Sequence, residues 1–189
     1  MSELKFYKHR RRISKRVKIE YAIKISIGVA VALLGVFFAL AFCKKVKVTD
    51  ASMNPTIENE QTVCIDRLIY KIFKPKQNEV IAFAPGGGER AVVQVKRIIA
   101  VPGDKVQIKD GSIYINNKLY SDKFSTEPIQ NAGIADTTIT VGENEYFVLG
   151  DNRNNSEDSR FDSIRNVSKD DIIGKVWFRS APFFKLGFI

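Results

Sequence analysis

Nineteen consecutive residues without a charge, Ile25 to Cys43 ("ISIGVAVALLGVFFALAFC"), open the pattern, and everything after them is broken into short apolar runs. As a helix the first run measures about 28 Å at 1.5 Å per residue, close to the roughly 30 Å hydrocarbon core of a bilayer. The later runs have strand character. "TVCI" (62–65), "EVIAF" (79–83), "AVVQVKRIIAV" (91–101), "TTITV" (137–141), "EYFVL" (145–149) and "IIGKVWF" (172–178) are rich in β-branched and aromatic residues. "VQIKDGSIYIN" (106–116) predicts a hairpin, with Asp110-Gly111 suited to a type I′ turn. Glycine and proline punctuate the strands at "PGGGE" (85–89) and "VPGD" (101–104), and "SKDD" from Ser168 predicts a single capped helical turn. The pattern therefore predicts one N-terminal transmembrane helix followed by a mostly β domain.

Charge sharpens the first element. The chain carries +9, and residues 1–24 hold nine Lys/Arg against Glu3 and Glu20, so +7 of it lies before the apolar run. The remaining 165 residues are nearly neutral and offer no broad basic face, which excludes nucleic acid as a partner. A basic flank before an apolar span predicts a cytoplasmic tail (1–24), a membrane span (25–43) and an extracytoplasmic domain (44–189). "ALA" at 39–41 resembles a signal-peptide cleavage site, but the run is longer than the usual 7–15 residues of a cleaved leader, so an uncleaved anchor is expected. A disulfide between Cys43 and Cys64 is open to the sequence. One cysteine sits at the membrane boundary and the other inside "TVCI", and both read as apolar filler.

Chemistry is narrowed by what the chain lacks. Its one histidine, His9, falls in the predicted cytoplasmic tail, so neither a Ser-His-Asp triad nor a His/Cys zinc site can form in the outer domain. No nucleotide-binding loop is present either; "GGGE" lacks the following Lys-Ser/Thr. No metal or cofactor is expected. A Ser-Lys pair remains workable, provided that burial in apolar surroundings lowers the lysine toward neutrality. Lys96, inside the apolar run 91–101, fits that requirement, although a solvent-facing lysine on an amphipathic strand fits the same pattern. Ser52 in "ASMNPTI" lies nine residues beyond Cys43, a reach of at most about 30 Å, so it stays near the membrane surface.

Three segments in order, "SMNPTI", "VKRIIAVPGD" and "LGDNRNNSEDSR", resemble the serine, lysine and Gly-Asp-Asn-Arg boxes of the type I signal peptidases. These are membrane-anchored Ser-Lys endopeptidases, and the single anchor and short gap between boxes are similar to their compact Gram-positive branch. The resemblance implies an antiparallel β catalytic domain with a small β extension at about 105–148, and exported preproteins cut at small-x-small sites as substrates. It implies Ser52 as nucleophile, Lys96 as general base, and Ser156 as a hydrogen-bond partner that orients the lysine. Asp151, Asp158, Arg160 and Arg97 would hold the boxes together. Met53 would shape the site and reach toward lipid or substrate. The terminal "APFFKLGFI" is expected to pack on the core or to enter the interface.

Departures from the family pattern are specific. Asp50 stands two residues before the nucleophile, where relatives carry a hydroxyl or glycine; Asn78-Glu79 occupy Gly-Asp positions; and Ala100 replaces a glycine. Three other readings compete. A self-cleaving Ser-Lys repressor needs an N-terminal DNA-binding domain where this chain has its apolar span. The endoplasmic-reticulum and archaeal branch places histidine where Lys96 stands. An accessory protein of surface or pilus assembly, with narrow or no proteolytic activity, is the remaining alternative.

Overall fold

The computed structural model describes residues 15–41, 43–86, 92–125, 127–182 and 185–189. His9 and the tail before Lys15, part of the "PGGGE" turn, and Phe183-Phe184 of the C-terminal segment lie outside those residues. The chain divides into two compact units, residues 1–41 and 42–189.

The first unit is one helix, α1 (Lys15–Ala41). Its Lys18–Phe37 stretch is long and apolar enough to cross a membrane by length and composition. The helix ends two residues short of the predicted span, because Cys43 belongs to a strand.

The second unit holds β1 (Cys43–Lys47), β2 (Thr62–Asp66), α2 (Ile69–Ile72), β3 (Val80–Phe83), β4 (Gln94–Ala100), β5 (Lys105–Lys109), β6 (Ser112–Ile115), β7 (Lys118–Leu119), β8 (Ile139–Thr140), β9 (Glu145–Leu149), β10 (Val167–Ser168), β11 (Ile172–Ala181) and β12 (Gly187–Phe188). Every pairing is antiparallel. The larger sheet runs β1-β2-β11-β3-β4-β9-β10, with β12 on β11; the smaller runs β7-β6-β5-β8. Asp110 (φ 50°) and Gly111 (φ 73°) both take positive φ between β5 and β6, as a type I′ turn requires. The small sheet spans residues 105–140, whereas β9, inside the predicted 105–148 extension, pairs with β4 in the main sheet.

Three apolar clusters fill the unit. Met53, Ile57, Val63, Ile65, Val80, Ala82 and Val95 pack under the serine segment. Ile81, Phe83, Ile98, Tyr146 and Val148 form a second group, and Ile99, Phe147 and Leu149 join the small sheet through Val106 and Ile108. Strand β4 is therefore covered on both faces, and each of its residues after Gln94 is buried. An alternating strand would have exposed either Lys96 or Arg97; this one buries both.

Cys43 and Cys64 form a disulfide, which corrects the reading of both as apolar filler. The sequence pattern ends the anchor at Cys43 and so conceals β1, whose pairing with β2 brings the two cysteines together. The cross-link closes a loop that contains Ser52. At the other end, Ile189 packs against the serine-side core and β12 pairs with β11, while Phe188 remains exposed.

Candidate active site

The serine segment lies between β1 and β2 as a series of turns pinned from below. Met53 has no exposed surface and belongs to the core, so it does not reach toward lipid or substrate. Its burial anchors the turn that carries Ser52, and the Ile57 N–H donating to the Met53 carbonyl (2.9 Å) closes that turn. From the other side, the Asn152 N–H donates to the Ser52 carbonyl (2.9 Å) and the Asn152 side-chain amide to the Ala51 carbonyl (3.2 Å). The third box thus holds the serine backbone directly. Gly150 permits this approach, since a Cβ there would collide with Ser156 Oγ and with the Ser52 carbonyl oxygen.

Lys96 reaches the same point from β4. Its Nζ donates to Ser52 Oγ at 2.7 Å, and the two residues retain only 2% and 4% of their surfaces. Burial lowers the lysine below its ordinary value; the charges of Asp50, Asp158 and Glu157 oppose that shift. A lysine so placed carries a larger neutral fraction near neutral pH than a solvated one, and neutral amine is the form that accepts a proton.

Two buried guanidinium–carboxylate forks tie the segments together. Arg97, next to Lys96, donates to Asp151 through Nε (2.8 Å) and Nη2 (2.7 Å) and to the Asn78 carbonyl through Nη1 (2.8 Å). Thr56 of the serine segment donates to the same Asp151 carboxylate (2.5 Å), so one carboxylate binds all three boxes. Arg160 grips Asp158 through Nε and Nη2, both at 2.8 Å, and Asp158 also accepts the Gly150 N–H (3.1 Å). Arg153 donates to the Gly150 carbonyl (2.9 Å) and pairs with Asp122. Phe124 stacks under Arg97 at 3.5 Å.

The predicted residues converge with two qualifications. Ser156 lies in this cluster, yet its buried Oγ has no hydrogen-bond partner, so it does not bond Lys96 in this structure. Thr56, Asn152, Arg153 and Asp122 were not singled out from the sequence. Thr56 and Asn152 sit inside the quoted boxes, and their polarity beside a buried charge was the available signal. Asp122 lies 31 residues from its partner and had none.

The departures find structural roles. Asn78 occupies a glycine-like position with φ 72°, which asparagine tolerates better than most residues. Glu79 accepts hydrogen bonds from Tyr70 (2.9 Å) and Lys175 (2.8 Å). Asp50 turns inward: its Oδ1 accepts the Ser52 N–H at 3.0 Å and the Ser52 hydroxyl at 2.7 Å, and Oδ2 lies 3.7 Å from Lys96 Nζ.

A groove of about 520 Å³ opens above the pair, lined by residues 47–52, 92–96 and 154–157. Among the described residues no histidine and no cluster of three or more His, Cys, Asp or Glu suited to a metal occurs. Ser52 and Lys96 both line this groove, with the serine hydroxyl oxygen 2.7 Å from the buried amine. The profile of the family described as "Signal peptidase, peptidase S26" matches residues 19–181, and the chain belongs to that family. It is 30% identical over 177 residues to signal peptidase I U of Bacillus subtilis, covering 90% of this chain and 92% of that one. It is 32% identical over 176 residues to a signal peptidase I of Bacillus licheniformis, covering 89% and 91%. A probable signal peptidase I-2 of Synechocystis is 29% identical over 147 residues, 75% of this chain, which spans 65% of that relative's length.

Proposed function

We propose that this peptidase removes N-terminal signal peptides from exported preproteins, with Ser52 as nucleophile and Lys96 as general base. The observation that carries the reading is the 2.7 Å contact between Lys96 Nζ and Ser52 Oγ with both side chains buried. Neutral Lys96 takes the hydroxyl proton as Ser52 Oγ bonds to the scissile carbonyl carbon. The resulting ammonium then protonates the departing amine, leaving an acyl-enzyme on Ser52, and water activated by the same amine hydrolyses that ester. The Ser52 N–H is a donor for the oxyanion, an interaction whose loss costs about 10²–10³ in rate in such enzymes.

The groove supports a substrate in extended form. Two segments, residues 47–52 and 92–96, contribute to the groove lining, and a peptide laid along them would present alternate side chains to the groove. Val48 and Val95 are among the lining residues, and an apolar lining of this kind suits small apolar side chains such as those of Ala-x-Ala sites. The apolar α1 serves in this proposal as a membrane anchor, with the basic tail cytoplasmic and residues 44–189 outside. Anchoring beside the membrane raises the effective concentration of signal-peptide substrates.

The test compares full-length wild type, Ser52→Ala and Lys96→Ala in detergent on a preprotein with an Ala-x-Ala site, the cut mapped by mass spectrometry. Cleavage after the second alanine, lost in both variants, is expected. The pH profile supplies a second check. Because protonated Lys96 cannot accept the serine proton, kcat/KM falls with decreasing pH, about tenfold per unit below the acid limb. That limb lies below the ordinary lysine value because burial favours the neutral amine. A rate independent of pH down to about pH 5 would exclude lysine as the base.

A further inference from the structure

Ser52 Oγ is held between two groups at 2.7 Å, Lys96 Nζ and the Asp50 carboxylate, and its single proton can go to only one of them. Lys96 Nζ donates to Ser52 Oγ, and the Ser52 hydroxyl in turn donates to Asp50 Oδ1. A general base must instead accept the hydroxyl proton, which here points at a carboxylate. The same Oδ1 also takes the Ser52 N–H, the donor that an oxyanion would need. One side chain therefore withholds both the proton path and the oxyanion donor. It is not locked in place, because the Asp50 side chain keeps 50% of its surface and borders the open groove.

A second observation agrees. Ser156 Oγ is buried beside the Ser52 carbonyl with no partner. Buried hydroxyls are ordinarily satisfied, so Ser156 Oγ is free to accept or donate a bond when the groups around Ser52 rearrange. We propose that Asp50 is an internal latch on the nucleophile: its carboxylate holds the Ser52 hydroxyl and N–H in the resting enzyme and must swing into the groove before Ser52 can attack. This inference rests on the Ser52–Lys96 reading and adds a control to it.

Release has a direct physical route. A substrate carbonyl arriving over Ser52 competes for the N–H that Asp50 occupies. Once the carboxylate turns outward, the hydroxyl rotates toward neutral Lys96 and the Ser52 N–H faces the developing oxyanion. Cleavage efficiency is then scaled down by the fraction of enzyme that remains latched. Two charge-assisted bonds to a half-exposed carboxylate set that penalty on the order of tenfold. Besides Asp50, the charged groups facing Lys96 are Asp158 and Glu157 from the third box, with Arg160 paired to Asp158; Lys47, which also lines the groove, is paired with Glu60.

The test uses full-length protein in detergent with Asp50→Ala, which removes the carboxylate, and Asp50→Asn, which keeps an acceptor but drops the charge. Three quantities are read: kcat/KM on a peptide spanning an Ala-x-Ala site, the inhibition constant of the matching peptide boronic acid, and the affinity of the product peptide. The boronate forms a tetrahedral anion on Ser52 and needs the free N–H; the product peptide needs only the groove. The latch predicts kcat/KM and boronate affinity rising together by about tenfold in Asp50→Ala and less in Asp50→Asn, with product affinity unchanged. The acid limb should move to lower pH in both, since Asp50 opposes the depression of Lys96. A fall in kcat/KM, an unchanged boronate constant, or an equal rise in product affinity overturns the latch. Thermal midpoints of both variants, expected within about 6 °C of wild type, separate these outcomes from misfolding. Cleavage persisting in Ser52→Ala would instead remove the dyad reading, whatever the Asp50 variants do.

Discussion

Replacing Arg97 by methionine isolates what the buried forks contribute. Arg97 and Asp151 retain 5% and 0% of their side-chain surfaces, and the guanidinium makes two bonds to the carboxylate, at 2.8 and 2.7 Å, and one to the Asn78 carbonyl. Methionine fills much of the volume but leaves Asp151 charged, buried and supported by Thr56 alone. Breaking a buried pair in this way costs about 3–5 kcal/mol, whereas replacing both partners with apolar residues of similar size is often near neutral. Arg97→Met should therefore lower the melting midpoint of the full-length protein in detergent by roughly 6–20 °C, at about 2–4 °C per kcal/mol for a chain of this size. The double variant Arg97→Met/Asp151→Leu should recover most of that loss. Its cleavage should remain impaired, because Asp151 no longer fastens the serine segment to β4. The assay pairs thermal unfolding, followed by Trp177 fluorescence, with peptide cleavage across the double-mutant cycle. A cost below about 1 kcal/mol for Arg97→Met would place the pair with weakly coupled surface bridges and refute the reasoning. Full activity in the double variant would show that the fork stabilises the domain without positioning Ser52.

Two further outcomes follow from the same geometry. Gly150→Ala forces a Cβ against Ser156 Oγ and the Ser52 carbonyl, so cleavage should fall by about 10² or more, in line with the sensitivity of such reactions to misplacement; near-normal kcat would contradict that close approach. Cys64→Ala opens a disulfide-closed loop with a sequence separation of 21, which should cost about 3 kcal/mol and make wild type, but not the variant, sensitive to reductant in thermal unfolding.

The legibility of this protein differs sharply between its parts. The apolar run near residues 25–41, the hairpin at Asp110-Gly111 and the strands β2, β3 and β9 are local features, written in composition and turn chemistry, and appear close to where the pattern predicts them. Ser52 and Lys96 could be paired as candidates because the absence of histidine from residues 44–189 left few chemistries and because they fall in contiguous motifs; the structure brings the two side chains into contact. β1 escaped because its pairing with β2 depends on a long-range register and not on its own mixed Lys/Val sequence. The disulfide escaped with it.

The sequence alone determined which residues were available: a serine and a lysine in box-like segments, and no histidine in residues 44–189. Only the tertiary structure decided their state. Whether Lys96 is buried depends on β4 being covered on both faces, which no alternation of its own residues announces. Whether Asp50 repels, helps or restrains depends on a rotation of one short side chain, settled by contacts with Ser52 and Lys96, the latter 46 positions away in the chain. Pairwise distance and solvent exclusion govern charge interactions, and neither is a property of a single residue's identity.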